Sequence, residues 1–520
     1  MSAVLLVSPL PITGQRTGPP IRYWELARVL SAEQVVTLLV PNADHPTHPD
    51  FIVCTSAALV PGAEAREEDG LDRLLATHQV IMVQGPAIQH HPRIAKALAA
   101  GQHYLVVDLY DPITLEQLEI DRGGPAGRWL NVEYTALLNE QIRLGDFFVC
   151  ANERQRGYWL GALTALGRIN QDTYDGSDLR KLIDVVPFGL PDADPPKAEG
   201  VNLPQPGGAV LRGVLPGIAP GDRVILWGGG LWEWLDPFTP IQAMEQVRMV
   251  HPTARLVFFV SARFRPPIVG QVRQFAADKG LLDREVVFAD WLAPEQWRNC
   301  LLEADVGLSF HPASIESHFA FRTRLLDYIW AGLPIVTAGG DVLSEQVAAC
   351  GLGYVVEPGN AEALAAALIA LLDEPDARQS RQAAFHRVAG QYRWERVAEP
   401  LVRYCREPWH AGDAGRNAYQ GWQQAERDRL ISEAASARRQ LVEAEARRQD
   451  MAAERDRASQ RADATQIQLD DLRQRLEQSE AQLQAAMNGR VMRLMTGMQR
   501  AVGRWRRGTS PLGRGEGEKS

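Results

Sequence analysis

Up to about residue 410, short runs of consecutive apolar residues alternate with stretches whose apolar positions recur at helical spacing. The first set of runs is Val4–Val7, Val80–Val83, Leu105–Val107 and Phe147–Val149. A second set follows: Val224–Leu226, Leu256–Val260, Val286–Phe288, Val306–Leu308 and Ile335–Val336. A strand with one wet face alternates polar and apolar residues, whereas a strand covered on both faces is apolar throughout. Unbroken runs separated by helical patterns therefore predict parallel sheets with helices on both faces. The two sets are divided by a proline- and glycine-rich stretch containing Pro191, Pro195, Pro196, Pro204, Pro206, Gly207 and Gly208. That is linker composition, and the division predicts two doubly wound α/β domains.

Beyond residue 411 the pattern changes. Residues 421–487 contain no proline, no lysine and a single glycine at their start, and predict one long polar helix. A heptad register places Leu441, Ala462, Leu469, Leu476 and Leu483 on one seam position and Ala444, Met451, Ala458 and Leu472 on the other. Arg448 and Arg455 interrupt its first half, so the C-terminal half carries the coiled-coil prediction. In residues 489–507, Val491, Leu494, Met495, Met498, Val502 and Trp505 recur at helical spacing. Arg490, Arg493, Arg500, Arg504 and Arg507 fall mostly on the other side. A basic amphipathic helix of this kind fits an anionic membrane surface, or its apolar stripe packs on a partner helix. Residues 508–520 read as a disordered tail.

The 520 residues are 45% hydrophobic and 23% charged, which is globular composition and leaves room for several domains. A formal net charge of −9 argues against nucleic acid as a partner. The five cysteines are scattered and form no CxxC pair, so neither a disulfide framework nor a zinc site is expected, and a reducing cytoplasm fits. No export signal or membrane span is expected from the apolar runs, which are all short.

Ligands of parallel α/β sheets bind outside the carboxyl ends of the strands, so the loops after the apolar runs are the candidate sites. The first loop holds Gly14 and Gly18 ahead of a helix. The loop after Val224–Leu226 contains Gly228, Gly229, Gly230, Trp232 and Asp236. Three successive glycines are costly to order and are most useful where main-chain amides approach a ligand. Asp236-Pro237 reads as a helix start that aims its positive end at the same place. A third segment carries His311, Glu316, Phe319, Arg322, Arg324 and Asp327. Arginines suit phosphate and a carboxylate suits vicinal hydroxyls, the combination that a ribose diphosphate requires. Asp108 and Asp111 lie at the carboxyl end of a first-domain strand. They are read either as structural caps or as groups that bind sugar hydroxyls or act as a base.

The run from Glu316 to Val336, ending Asp-Tyr-Ile-Trp-Ala-Gly-Leu-Pro-Ile-Val, resembles the donor-binding segment of family-four glycosyltransferases. Val224–Asp236 is similar to their first C-terminal strand and glycine loop, and Gly18–Ala27 to their N-terminal loop and helix. Val185–Pro191 is similar to their interdomain crossing, and the resemblance covers roughly residues 1–405. It implies the GT-B fold: two Rossmann-like domains facing a cleft, here with a long C-terminal helix. The expected organisation is an acceptor-side domain (1–195), a linker (196–220) and a nucleotide-sugar domain (221–385). A helix packing back on the core (386–410), a coiled coil (421–487), a basic amphipathic helix (489–507) and the tail (508–520) complete it.

Asp327 matches the second carboxylate of the family's donor motif, which binds ribose hydroxyls. Phe319 stands at the first carboxylate position, and Glu316 is the nearest candidate for the donor-sugar contact. Leu109-Tyr110-Asp111 occupies the place of the family's His-Asp pair. The resemblance implies no metal and no cofactor, and Asp192-Ala193-Asp194 in the linker is taken as a chance match to a metal-binding pattern. The expected activity is retaining transfer of a sugar from a nucleotide diphosphate sugar to a glycan or lipid-linked acceptor, as in surface polysaccharide or O-antigen assembly. The expected location is the cytoplasm or the inner membrane face, with the coiled coil joining copies or binding a partner. The alternatives are a GT-B nucleotide-sugar epimerase and a non-enzymatic scaffold built on a degenerate transferase domain.

Overall fold

The computed structural model describes residues 2–13, 18–55, 68–192, 208–260, 267–414 and 418–507. Its strands are β1 (Ala3–Val7), β2 (Val35–Val40), β3 (Ile52–Thr55), β4 (Val80–Val83), β5 (Tyr104–Asp108), β6 (Phe147–Cys150) and β7 (Ile183–Val185) in the first half. The second half has β8 (Arg223–Trp227), β9 (Ala254–Val260), β10 (Val286–Asp290), β11 (Val306–Ser309), β12 (Ile335–Ala338) and β13 (Gly353–Val356). They form two sheets, ordered β3-β2-β1-β4-β5-β6-β7 and β10-β9-β8-β11-β12-β13. Every pairing is parallel. This is the α/β, GT-B-like architecture, two Rossmann-like sheets followed by a long helix.

The apolar runs are the sheet centres. All four residues of β4 and of β6 are buried, as are Val224–Trp227 of β8. The order reverses between β1 and β4 in one sheet and between β8 and β11 in the other. These are the switch points, where the following loops diverge and open a crevice. The described residues of these loops are 8–13, 84–86, 228–237 and 310–314.

After the second sheet the chain returns to the first. Leu190 exchanges main-chain hydrogen bonds with Tyr392 (2.6 Å) and Trp394 (3.1 Å). Gly189 lies so close to Trp394 that a Cβ there would sit 2.4 Å from the indole. Helix Glu399–Arg406 sends Tyr404 onto Phe147 of β6, ring on ring at 4.6 Å.

The helix Ala418–Arg507 is continuous through Gly489, so the two C-terminal patterns of the sequence belong to one element. Its start packs on helix Pro125–Leu144 through the ion pairs Arg143–Asp428 and Arg439–Glu133, each 2.9 Å. Residues 1–440 form one compact unit and 441–520 a second. In the second unit Leu469, Leu472, Leu476, Leu494, Met495, Met498 and Val502 are exposed. Among the described residues no helix is long and apolar enough to cross a membrane. Residues 508–520 and the linker residues 196–207 lie outside the described residues.

Candidate active site

The glycine loop is built by one tyrosine. Tyr328, fully buried in helix Thr323–Ala331, accepts the Gly228 amide proton on its hydroxyl at 2.6 Å. The same hydroxyl lies 2.9 Å from the Leu226 carbonyl and 2.8 Å from that of Leu308, and its proton is donated there. A Cβ on Gly228 would stand 2.7 Å from the hydroxyl, and one on Gly307 would stand 2.6 Å from the ring. Both positions are glycine because the tyrosine lies across the paired strands β8 and β11, its ring on Gly307 and its hydroxyl at Gly228. The Gly228 amide is therefore committed to protein. The amides of Gly229 and Gly230 donate to no protein acceptor among the described residues. Gly229 has φ of +84°, a turn that favours glycine. Trp232 stacks on Trp234 at 5.2 Å, both half-buried. Asp236 accepts from the amides of Phe238 and Thr239 and caps helix Phe238–Val250. That helix starts one residue later than Pro237.

Arg324 and Asp327 are nearly one helical turn apart, on the same face. Arg324 lies over the Trp227 ring (5.0 Å) and donates through Nη2 to the Gly230 carbonyl at 3.2 Å. Its Nη1 is buried without a partner. Burial lowers its pKa to about 10, so the guanidinium stays charged at neutral pH. Asp327 accepts from Trp297 Nε1 at 3.2 Å. Burial pushes this carboxyl up to about 6, against the opposing pull of Trp297, Arg324 and Arg298.

Glu316 and Arg322 form a closed pair. Ser314 caps the short helix Ile315–Phe319, accepting from the Ser317 amide at 3.0 Å, and so orients Glu316. Glu316 Oε2 accepts from Arg322 Nη2 at 2.5 Å, with the side chains 1% and 6% exposed. Glu316 Oε1 and Arg322 Nε have no partner. The charge of Arg322 is thus balanced by Glu316, whereas Arg324 has no carboxylate partner among the described residues. His311 is fully buried between the Pro312 carbonyl and Asp341. Phe319 faces the first half: its carbonyl accepts from Gln155 (2.9 Å) and its ring tilts against Tyr158 (4.9 Å).

In the first half, Gly14 lies outside the described residues. Gly18 opens helix Gly18–Leu30 directly over the Tyr110 hydroxyl, 2.9 Å from where a Cβ would be. Arg22 grips Asp108 with two hydrogen bonds of 2.8 and 2.9 Å, both side chains fully buried. This bidentate pair occupies both oxygens of Asp108 and favours the structural of its two readings. Asp111 is different. It accepts from Gln84 Nε2 at 3.3 Å, and burial, followed by the charge of Asp108, raises it to about 7. Glu116, which no sequence signal singled out, ends helix Ile113–Glu116. Burial first, then the charges of Asp111 and Glu316, push it well above the usual carboxylate range, while Arg322 opposes. Carboxylates from both halves thus meet where helix Ile315–Phe319 contacts helix Ile113–Glu116. Among the described residues no group of His, Cys, Asp and Glu is disposed to hold a metal ion.

Comparisons with known proteins follow this geometry. No match to a curated protein sequence was found. Among solved structures the chain is similar to Anabaena Alr3699/HepE in complex with UDP-glucose, at 15% identity and TM-score 0.52 over 78% of this chain and 100% of that one. It is similar to a UDP-forming trehalose-phosphate synthase from Burkholderia xenovorans, at 15% identity and TM-score 0.53 over 78% and 99%. WaaG, a glycosyltransferase of lipopolysaccharide biosynthesis, gives 14% identity and TM-score 0.51 over 78% and 100%. At these identities the likeness is one of fold. Residues 222–374, which hold the glycine loop, Glu316, Arg324 and Asp327, match the family model described as glycosyl transferases group 1. The second Rossmann-like domain of this GT-B-like chain is thus similar to the glycosyl transferases group 1 family.

Proposed function

We propose that the protein transfers a sugar from a nucleoside diphosphate sugar to a hydroxyl of a glycan or lipid-linked acceptor in cell-surface polysaccharide synthesis. The observation that carries this reading is the unpaired end of Arg324 beside the free amides of Gly229 and Gly230, with Asp327 one turn further along the helix. Arg324 and the two amides take the diphosphate, and Asp327 takes the ribose hydroxyls. The unpartnered Glu316 Oε1 is the acceptor for a donor-sugar hydroxyl. The complex of HepE with UDP-glucose, a protein of the same fold, supports a nucleotide-sugar donor.

In the reaction the acceptor oxygen bonds to the anomeric carbon as the bond from that carbon to the diphosphate oxygen breaks. The nucleoside diphosphate leaves with the electron pair, and the acceptor proton passes to Asp111. Arg324 stabilises the charge that develops on the leaving group. The family resemblance supports retention of the anomeric configuration. In the C-terminal helix, the exposed Leu469, Leu472 and Leu476 support pairing of copies, and Leu494, Met495, Met498 and Val502 support contact with an anionic membrane at its inner face.

The test is thermal stabilisation of the full chain by UDP-, GDP- and dTDP-sugars. One nucleotide class should stabilise the wild type and fail with Asp327→Ala and Arg324→Ala. No response to any at millimolar concentration from a folded protein overturns the reading. Deleting residues 489–520 should abolish flotation with anionic liposomes, and unchanged flotation removes the membrane role.

A further inference from the structure

Asp327 is held by a residue from a different helix. Trp297 lies in helix Pro294–Glu303, which packs beside helix Thr323–Ala331. Its indole stands perpendicular to Phe259 of β9, centroids 5.7 Å apart, and it packs against the main core. These contacts leave the ring little rotational choice. The one polar atom of the indole, Nε1, is a donor only, and it points at Asp327 Oδ2 from 3.2 Å. Asp327 Oδ1 accepts no protein hydrogen bond among the described residues. The carboxylate is therefore pinned at one oxygen and open at the other.

We propose that Trp297 is a positioning residue for the nucleotide: its indole N–H fixes the Asp327 carboxylate so that Oδ1 and the remaining lone pair of Oδ2 meet the ribose diol. This rests on the donor-site reading above. A carboxyl among apolar groups has two ways to fail, by rotating away or by taking up a proton, and a fixed N–H opposes both. A hydrogen bond to the charged form favours that form. The other charged groups that face Asp327 are Arg324 on its own helix and Arg298 on the helix of Trp297, and both favour the ionised state. Burial works against all three and leaves the group titrating at about 6. Little margin remains at neutral pH, so the loss of one donor is felt as lost affinity.

The test uses full-length protein labelled with 15N-tryptophan, together with Trp297→Phe, which keeps a ring in place, and Asp327→Asn. The indole resonance that disappears in Trp297→Phe should move with pH around 6 and should cease to move in Asp327→Asn. Titrations with UDP and GDP across the neutral range should show the affinity of Trp297→Phe falling away about half to one pH unit higher than that of wild type. Near pH 6.5 this is a loss of roughly 1.5- to threefold, growing toward roughly three- to tenfold below pH 5, with affinity recovered at more alkaline pH. A purely packing role weakens binding equally at every pH. An indole signal that ignores pH, or an unchanged pH midpoint in Trp297→Phe, overturns the inference while Asp327→Asn still reports on the donor site. Wild-type affinity in Asp327→Asn, or no binding of either nucleotide by wild type, overturns the donor-site reading and this inference with it.

Discussion

Replacing Tyr328 by phenylalanine removes a single oxygen from a fully buried site. The ring that separates Gly228 from Gly307 remains, so packing is nearly conserved and the polar consequence is isolated. The Gly228 amide loses its acceptor at a site closed off from solvent. An orphaned buried amide costs about 1–3 kcal/mol, and the lost hydrogen bond to the Leu226 or Leu308 carbonyl adds about 1 kcal/mol. The sum is about 2–4 kcal/mol. Burial raises the Tyr328 hydroxyl above its ordinary pKa, so it is protonated and able to donate at every pH of practical use. At roughly 2–4 °C per kcal/mol for a domain of this size, the domain transition should drop by roughly 5–15 °C. Calorimetry or tryptophan fluorescence on heating measures it, and the many tryptophans near the glycine loop report on this domain. Nucleotide affinity should fall as well, because the hydroxyl sets the height of the loop against the helix of Arg324 and Asp327. A Tyr328→Phe protein within about 0.5 kcal/mol of wild type would refute the argument that this hydroxyl holds the loop.

Three further outcomes are expected. Asp108→Asn leaves the Arg22 guanidinium buried without its counter-charge and should cost about 3–5 kcal/mol, read as a fall in denaturant midpoint; a small effect means the pair is not the lock it looks to be. Asp111 titrates at about 7 and must be ionised to accept a proton, so the transfer rate should decline as pH falls below 7, and Asp111→Asn should be slow with that acid limb removed. Glu140, buried on helix Pro125–Leu144 and facing Glu426, Asp428 and Glu433, is raised to about 8 by burial. From the ordinary carboxylate range up to about 8 the folded protein holds a proton that the unfolded chain releases. Stability should therefore fall as pH rises through that window, and Glu140→Gln should flatten the slope of the unfolding midpoint against pH.

The sheet centres were legible because burial on both faces writes itself as an unbroken apolar run. The strands that composition did not announce are mostly peripheral. β3 and β13 are edge strands with exposed positions, and β7 has only three residues. β2 is an exception, since Val-Val-Thr-Leu-Leu-Val is itself an apolar run interrupted by one threonine. In the candidate site, the spacing of Arg324 and Asp327 on one helix was readable because it is local. The ion pairs were not. Asp108 is 86 residues from Arg22, and nothing in the neighbourhood of either announces the other. Arg322 and Glu316 are only six apart, yet their pairing depends on the turn between two short helices, which spacing alone does not specify. Glu116 reads as an ordinary helix charge until the opposite half is brought against it.

The contact between Leu190 and the Tyr392–Trp394 stretch bears on mechanics. The chain passes between the two sheets twice, outward after Leu190 and back before Trp394, and the two passages are hydrogen-bonded side by side. A single tether permits swivel and twist about any direction. Two tethers bonded to each other at Leu190 permit fewer easy rotations than one. Under the proposed function, in which the two halves shut around a diphosphate and open again to release it, this pairing would give the motion a defined path. A cut in either passage would keep both sheets folded and lose the path.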